Sequence, residues 1–324
     1  MMRIELATAC ERLKQADNIV ILAHRKPDGD ALGSSFGLLF ALERLGKMAR
    51  VECPDPIPEK FTYIYGGGEY LPAEFEPCFV VSVDVASMGL LTHLGERYQG
   101  RIDLCIDHHK SNEMFARETL LDADAAAAAQ IVYHVVRGLG IVPDKAIADA
   151  LFAGITTDTG GFRFSNTGAE THRVAAELID FGADHAEINR LMFETKSRGR
   201  IEVDRLMLET LEFDLDGMAA TLYMPFGIEE RYGVTEEELD GVSSLPRTIQ
   251  GVYAGVTIRD RGDGSFRVSL RTQNPVDASA ICAAFGGGGH VNAAGCTVTG
   301  SLEEAKKGLL QAVKVELEKR GLIA

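Results

Sequence analysis

No two of the six cysteines (Cys10, Cys53, Cys78, Cys105, Cys282 and Cys296) form a C-x-x-C pair. That spacing excludes a zinc knuckle and gives no sign of a disulfide framework, so a reducing cytosol is the expected compartment. No apolar stretch reaches the roughly 18 residues needed to cross a bilayer. The opening MMRIELATACERLKQADN mixes both charges and has no apolar h-region, so a secretory signal is not expected. Basic residues are also short: 33 Lys and Arg face 48 Asp and Glu, a formal charge of −15 with pI about 5.0. Long duplex nucleic acid, bound through many phosphate contacts, is therefore an unfavourable partner. A local pocket can still be positive, and a bound metal would make it so. There is no internal repeat.

What remains is an ordinary globular composition, 46% hydrophobic and 25% charged, at a length of 324 residues that suits two domains. In the first half, short apolar runs (Asn18 to His24, Phe79 to Val85, Ile102 to Asp107) alternate with helical patterns (Ala31 to Gly46, Ala125 to Gly140). This predicts an α/β domain with a mainly parallel sheet flanked by helices. Past residue 213 the texture changes. Runs reading as strands, two of them joined by the hairpin turn RGDG, predict a smaller α+β domain. The expected organisation is a catalytic domain over 1–190, a helical linker over 191–213 and a second domain over 214–324.

Four segments carry candidate chemistry. HRKPDGDALGSS places His24, Asp28 and Asp30 just after a predicted strand, where open α/β sheets bind ligands. One histidine with two carboxylates is a mixed nitrogen and oxygen ligand set, suited to manganese or a related divalent ion. The plainer reading is a loop with Asp30 as helix N-cap. Asp84 ends an apolar run and is costly there unless paired, capping or metal-bound. IDHHK ends another run with Asp107, His108 and His109. Adjacent histidines cannot face the same way in extended chain, so one is free for metal and the other for substrate. ITTDTGGF carries Asp158 after an apolar helix, with an ordinary helix end as the alternative. Jointly these groups fall at the ends of parallel strands and of one helix, so they converge. Clustered carboxylates repel, and a cation pair relieves that repulsion.

In the second domain, Gly286 to Gly289 precede His290 and Asn292. A loop of four glycines would expose backbone N–H groups to a phosphate, and Arg271 would add a bidentate contact. No GK[ST] follows, which excludes a Walker loop. Phe162 and Phe164 are expected mainly to pack, with a base-stacking face as the alternative.

These motifs together (HxxPDGDAxGSS, the strand-end aspartate, DHH, TDTGGF and GGGGHxNAAG) resemble the DHH phosphoesterase superfamily with its DHHA1 associated domain, from about residue 15 to 300. The resemblance implies two manganese ions, with magnesium or cobalt as alternatives. His24, Asp28 and Asp84 would hold one; Asp30, Asp84, His108 and Asp158 the other. Asp107 would orient a ligand and His109 would meet the phosphate. Arg271, Gly287, Gly288, Gly289, His290 and Asn292 would grip the substrate, with a cleft between domains limiting its length. The implied activity is hydrolysis of two- to five-residue RNA or DNA oligonucleotides to mononucleotides, and of 3′-phosphoadenosine 5′-phosphate (pAp) to AMP. Cleavage of cyclic di-AMP or its linear dinucleotide pApA, or a nucleotide sensor without catalysis, are the alternatives. A soluble cytoplasmic protein, with a homodimer as one plausible assembly, completes the expectation.

Overall fold

The computed structural model describes residues 2–239 and 241–323. The chain forms two compact units, Met1–Thr195 and Lys196–Ala324. The first is built on six strands: β1 (Met2–Arg3), β2 (Ile19–Leu22), β3 (Ala49–Glu52), β4 (Phe79–Val83), β5 (Leu104–Asp107) and β6 (Glu118–Leu121). They pair in the order β1-β6-β5-β4-β2-β3, every pair parallel. The expected mainly parallel sheet is therefore present. All four residues of β2 and of β5 are buried, which is why these strands read as continuous apolar runs rather than alternating ones. β1, β3 and β6 were not expected from the sequence.

The order places β2 between β3 and β4, so the chain leaves β2 toward one side of the sheet and returns on the other. The carboxyl ends of β2 and β4 thus flank a topological switch point, the place where such sheets open a crevice. His24 follows β2 and Asp84 follows β4.

Seven α-helices belong to this unit among the described residues: α1 (Leu6–Gln15), α2 (Gly29–Arg44), α3 (Thr92–Arg97), α4 (Ala128–Gly138), α5 (Lys145–Asp158), α6 (Ala169–Asp180) and α7 (His185–Asn189). The residue capping α2 is Asp28, not Asp30: its side chain accepts the N–H groups of Asp30 and Ala31, both at 3.0 Å. α2 is buried along nearly its whole length and lies directly on α5. Gly29, Gly33 and Gly37 recur at the helical spacing of four. A Cβ at Gly33 would overlap the carbonyl oxygen of Ala150, and one at Gly29 would overlap the side chain of Thr157. The three glycines let two helix backbones touch, and that contact carries the start of α2 to the end of α5.

The second unit is a mixed sheet of β7 (Glu212–Asp214), β8 (Ala219–Met224), β9 (Ala254–Asp260), β10 (Ser265–Thr272), β11 (Gly288–His290) and β12 (Ala293–Thr299), in the order β11-β12-β10-β9-β8-β7. Only β8 and β9 run parallel. The turn between β9 and β10 is the expected RGDG hairpin. Helix Leu302–Lys319 starts with a Ser301–Glu304 capping box and packs Ala305, Leu309, Val313 and Leu317, four residues apart, onto the sheet core. The helix read as a connector over 191–213 is Arg198–Glu209. It buries Val203 and Met207 against Leu222 and Met224 within the second unit.

Gly33→Val is expected to lower stability by about 1–3 kcal/mol, since the α2–α5 contact has no room for a branched side chain. The check is the unfolding midpoint by calorimetry; an unchanged midpoint would contradict backbone contact between these helices.

Candidate metal centre

Each residue expected around a metal from the first-domain motifs lies at the crevice or just behind it. His24 sits two residues beyond β2. Its Nδ1 is 2.7 Å from the carbonyl oxygen of Arg25, a contact that places the proton there and turns Nε2 into the crevice. Nε2 is then 3.5 Å from Asp84 Oδ2 and 3.9 Å from Asp28 Oδ1. His108, beyond β5, is held the same way: Nδ1 lies 3.3 Å from the Ala125 carbonyl. Its Nε2 is 3.5 Å from Asp84 Oδ1, 3.8 Å from Asp30 and 3.9 Å from Asp158. Two backbone carbonyls thus fix two imidazoles so that both Nε2 atoms converge on one carboxylate.

Asp84 is 3% exposed and takes a left-handed backbone, φ 60°, directly after β4. A non-glycine residue in that region carries strain, which persists where the surroundings hold it. The strain aims a carboxylate inward: Oδ2 meets His24 and Oδ1 meets His108. Among the described residues, Oδ1 is buried with no hydrogen-bond partner. Its neighbours at 3.5 and 3.6 Å lie beyond hydrogen-bond range. Leaving a buried carboxylate oxygen unpaired is expensive unless something else binds it.

Asp30 is 1% exposed and accepts the N–H groups of Ala128 and Ala129 at 2.6 and 2.8 Å. It thereby caps α4 from the start of α2 and ties those two helices through one carboxylate. Asp158 closes α5, where Asn166 Nδ2 reaches its carboxylate at 3.4 Å and its carbonyl oxygen at 3.2 Å.

These groups form sets with metal-site spacing. His24, Asp28 and Asp84 offer ligand atoms within 4.8 Å of one another; so do Asp30, His108 and Asp158, and so do Asp84, His108 and His109. The unpaired Asp84 oxygen, the converging Nε2 atoms and the mixed donor set all fit divalent cations.

Asp107 lies behind a neighbouring imidazole, that of His109. It is fully buried and binds the His109 ring, Oδ1 to Nδ1 at 2.8 Å, rather than a ring that faces the carboxylate cluster. The same Oδ1 accepts the His108 N–H at 2.8 Å, and Oδ2 accepts Asn112 Nδ2 at 2.5 Å. Asn112 also reaches the Val85 carbonyl, which ties the loop after β5 to the loop after β4. Asn112 and Asn166 are support residues that sequence reasoning missed: each is a lone amide in a loop, with no motif to mark it.

The electrostatics follow. Burial works against charge on His24, yet Asp84 and Asp28 outweigh it and push its pKa up to about 9. Burial likewise opposes charge on His108, but Asp84 and Asp30 raise it to about 10. Asp158 rises to about 6 through burial, with Asp84 and Asp28 adding repulsion. Asp30 is held well above the carboxylate range by burial and by Asp84 and Asp158. Asp84 stays low despite its burial because two imidazoles face it. Protons therefore occupy the places that cations would take.

In the second unit, Arg271 lies on β10 and lines a groove of about 990 Å³ together with Gly287, Gly288 and Gly289. The glycines are not the open loop expected. Gly288–His290 is a strand paired antiparallel to β12. A Cβ at Gly289 would stand 2.6 Å from the Ala293 carbonyl oxygen, so close strand approach explains part of the run. His290 is exposed at the end of that strand and Asn292 is exposed in the following turn, its carbonyl accepting Thr272 N–H at 3.1 Å. Of the two phenylalanines, Phe162 packs on Phe152 and stacks with His172, while Phe164 is 52% exposed.

A parallel sheet with a carboxylate and imidazole centre at its switch point, carried with a separate mixed-sheet unit, is the build of a metal-dependent phosphoesterase. The family model described as "DHH family, N-terminal domain" matches residues 18–155 and the "DHHA1 domain" model matches 218–319. The chain belongs to the DHH family. It is 37% identical over 98% of its length, and 96% of the relative's, to the "Bifunctional oligoribonuclease and PAP phosphatase NrnA" of Thermus thermophilus. A crystal structure of an exopolyphosphatase-related protein from Bacteroides fragilis superposes with a TM-score of 0.84 at 25% identity, covering 95% of each chain. Exonuclease RecJ bound to manganese shares the fold, with a TM-score of 0.54 at 15% identity over 96% of this chain and 93% of that one.

Cation affinity is expected to rise with pH. A ligand imidazole must lose its proton to bind metal, and His24 and His108 keep theirs up to about 9 and about 10 in the metal-free protein. Titration calorimetry in buffers of different ionisation enthalpy should show proton release on manganese binding, with affinity falling from pH 8 to pH 6. Binding that is independent of pH over that range would rule out imidazole ligation.

Proposed function

We propose that the chain is a metal-dependent phosphodiesterase and phosphatase that cuts oligoribonucleotides of a few residues to mononucleotides and pAp to AMP, acting in the cytosol. The observation that carries the reading is Asp84, whose two oxygens each face a different imidazole at 3.5 Å. That is the arrangement of a carboxylate shared by two cations. His24, Asp28 and Asp84 would hold one, and Asp30, Asp84, His108 and Asp158 the other. Manganese is the proposed ion because the donors mix imidazole and carboxylate, and because the RecJ structure of the same fold is bound to manganese. Two such cations, when bound, polarise a phosphoryl oxygen and lower the pKa of a water beside them. The oligonucleotide and pAp substrates are those named for the Thermus relative. Six free cysteines, and no helix among the described residues long and apolar enough to cross a membrane, support the compartment.

The chain's own groups supply the rest. His109 donates from Nδ1 to Asp107, so Nε2 is the nitrogen left to face a substrate on its exposed side. The bond to Asp107 raises the His109 pKa against burial, which favours an imidazolium able to donate to a phosphate or leaving oxygen. Asp107 is in turn held by Asn112, so the ring is oriented before substrate arrives. Arg271 and the glycine strand, with His290 and Asn292 beside them, take a substrate phosphate in the second unit.

Three measurements test this. With manganese, the purified protein is expected to turn over two- to five-residue oligonucleotides and pAp faster than cyclic di-AMP. Preference for cyclic di-AMP would reassign the substrate, and binding without turnover would make the chain a sensor. Asp84→Asn, which tolerates the left-handed backbone better than alanine, is expected to abolish turnover while circular dichroism stays native; full activity would end the shared-carboxylate model. His109→Ala is expected to lower kcat by about 10²–10³ with manganese affinity retained. A loss of affinity instead would make His109 a ligand.

A further inference from the structure

The two imidazoles that meet at Asp84 are oriented by one device used twice. His24 Nδ1 meets the Arg25 carbonyl at 2.7 Å, and His108 Nδ1 meets the Ala125 carbonyl at 3.3 Å. Each carbonyl belongs to a rigid peptide plane, whose other end is the N–H of the next residue. Both of those N–H groups are held by a side chain outside the ligand motifs. Lys26 N–H donates to Asp55 Oδ2 at 2.7 Å. Ala126 N–H donates to Gln130 Oε1 at 3.3 Å. Both peptides are trans, so carbonyl and N–H point in opposite directions. The side chain therefore holds one edge of the plane and the imidazole the other. Turning the plane would break both contacts together.

Each holder is itself placed by the fold. Gln130 is buried on α4, and its Oε1 also accepts the hydroxyl of buried Thr171 at 3.0 Å. Thr171 Oγ1 in turn accepts the Gly168 N–H at 3.2 Å, so the first turn of α6 anchors the amide. The atom facing Ala126 is the oxygen, because a backbone N–H can only donate. The same short segment carries further ties to the centre. Asn166 Nδ2 donates to the Ala126 carbonyl at 3.0 Å, and Asp30 accepts the N–H groups of Ala128 and Ala129. At the other imidazole, Asp55 follows β3, which pairs with β2, so the strand order delivers it to the loop after β2. Lys26 in that loop has a left-handed backbone, φ 49°, directly before Pro27. Such a residue is strained and persists where its surroundings hold it; the bond from its N–H to Asp55 is one such hold.

We propose that Asp55 and Gln130 are positioning residues of the metal centre, each acting through one peptide plane on a different imidazole: Asp55 on His24 and Gln130 on His108. Neither supplies a ligand in this scheme. Each fixes the carbonyl that fixes the ring, and so aims one Nε2 at its own cation. The inference deepens the two-cation reading and rests on it for what the rings hold, whereas the orientation of the rings does not depend on it. Side chains that merely satisfied loop amides would, on removal, lower stability without choosing between the two cations.

The test compares crystals of the unaltered full chain, Asp55→Ala and Gln130→Met, first metal-free and then soaked in limiting manganese. The anomalous signal of manganese gives the occupancy beside each imidazole. In metal-free crystals, Asp55→Ala is expected to release His24 from the Arg25 carbonyl and to leave His108 in place; Gln130→Met is expected to do the reverse. With manganese, Asp55→Ala should empty the position beside His24 and Gln130→Met the position beside His108. In solution titrations the affected site should weaken about tenfold, with the other unchanged. Thr171→Val removes only the hydroxyl that anchors Gln130, and is expected to act like Gln130→Met but more weakly, which keeps the test open if Gln130→Met does not fold. Asp55→Asn and Gln130→Glu retain an accepting oxygen and are expected to restore both ring and ion, which separates lost positioning from lost stability. Rings that keep their carbonyl contacts in the variants, or variants that weaken both ions alike, would overturn the inference. Rings that move one at a time in a chain that takes up no manganese would leave the positioning standing and remove the two-cation reading.

Discussion

Asp84 is the constraint on which the first unit turns. A carboxylate 3% exposed would ordinarily be neutralised by protonation, since burial alone disfavours its charge. It stays ionised because His24 and His108 reach it from opposite sides. Those rings reach it only because backbone carbonyls at Arg25 and Ala125 hold their other nitrogens. The left-handed backbone at Asp84 is sustained by the same arrangement: strain in one residue is offset by two imidazole contacts and by the N–H bond to Ile106 at 3.0 Å. Any cation binding here exchanges with protons already in place, so metal affinity, pH response and the charge of the centre are one property seen three ways.

The glycine seam between α2 and α5 serves that centre at a distance. Asp30 sits at the start of α2 and Asp158 at the end of α5. Both reach His108 because the helices touch backbone to backbone. Larger residues at Gly29 or Gly33 would push those carboxylates apart before any ligand were altered. Asp30 adds a second tie by capping α4. The centre is therefore assembled by packing as much as by its donors.

The sequence shows the donors plainly and their supports poorly, and the reason is physical. Buried parallel strands such as β2 and β5 are unbroken apolar runs, so the polar residues ending them stand out. β3 escapes notice because its ARVE carries two charges. They are satisfied inside the fold: Arg50 pairs with Glu52 at 2.7 Å and donates to the Phe75 carbonyl, and Glu52 accepts the Tyr98 hydroxyl. No pattern in one chain announces such a pairing. Asn112 and Asn166 are hidden for a like reason, since their value lies in what they touch. The glycine run misleads in the other direction. Read as bare loop, it offers N–H groups to a ligand; in the fold, part of that backbone is spent on β12, because only glycine lets the two strands lie so close.

That last point changes what the second unit has to work with. If ladder pairing occupies part of the glycine backbone, the groove relies more on side chains than on amide donors to hold an anion. The side chains present are guanidinium groups on alternating positions, which keep their charge at any working pH and match phosphate geometry in pairs. Grip on the ligand would then depend strongly on salt and weakly on pH, whereas the imidazole centre depends strongly on pH. On the proposed function the two units would answer to different solution conditions, and conditions that favour capture need not be those that favour cleavage. A fall in turnover with salt at fixed pH would trace to Arg271 and its groove, and a fall with acid at fixed salt to His24 and His108. The two dependences would separate the contributions of the units.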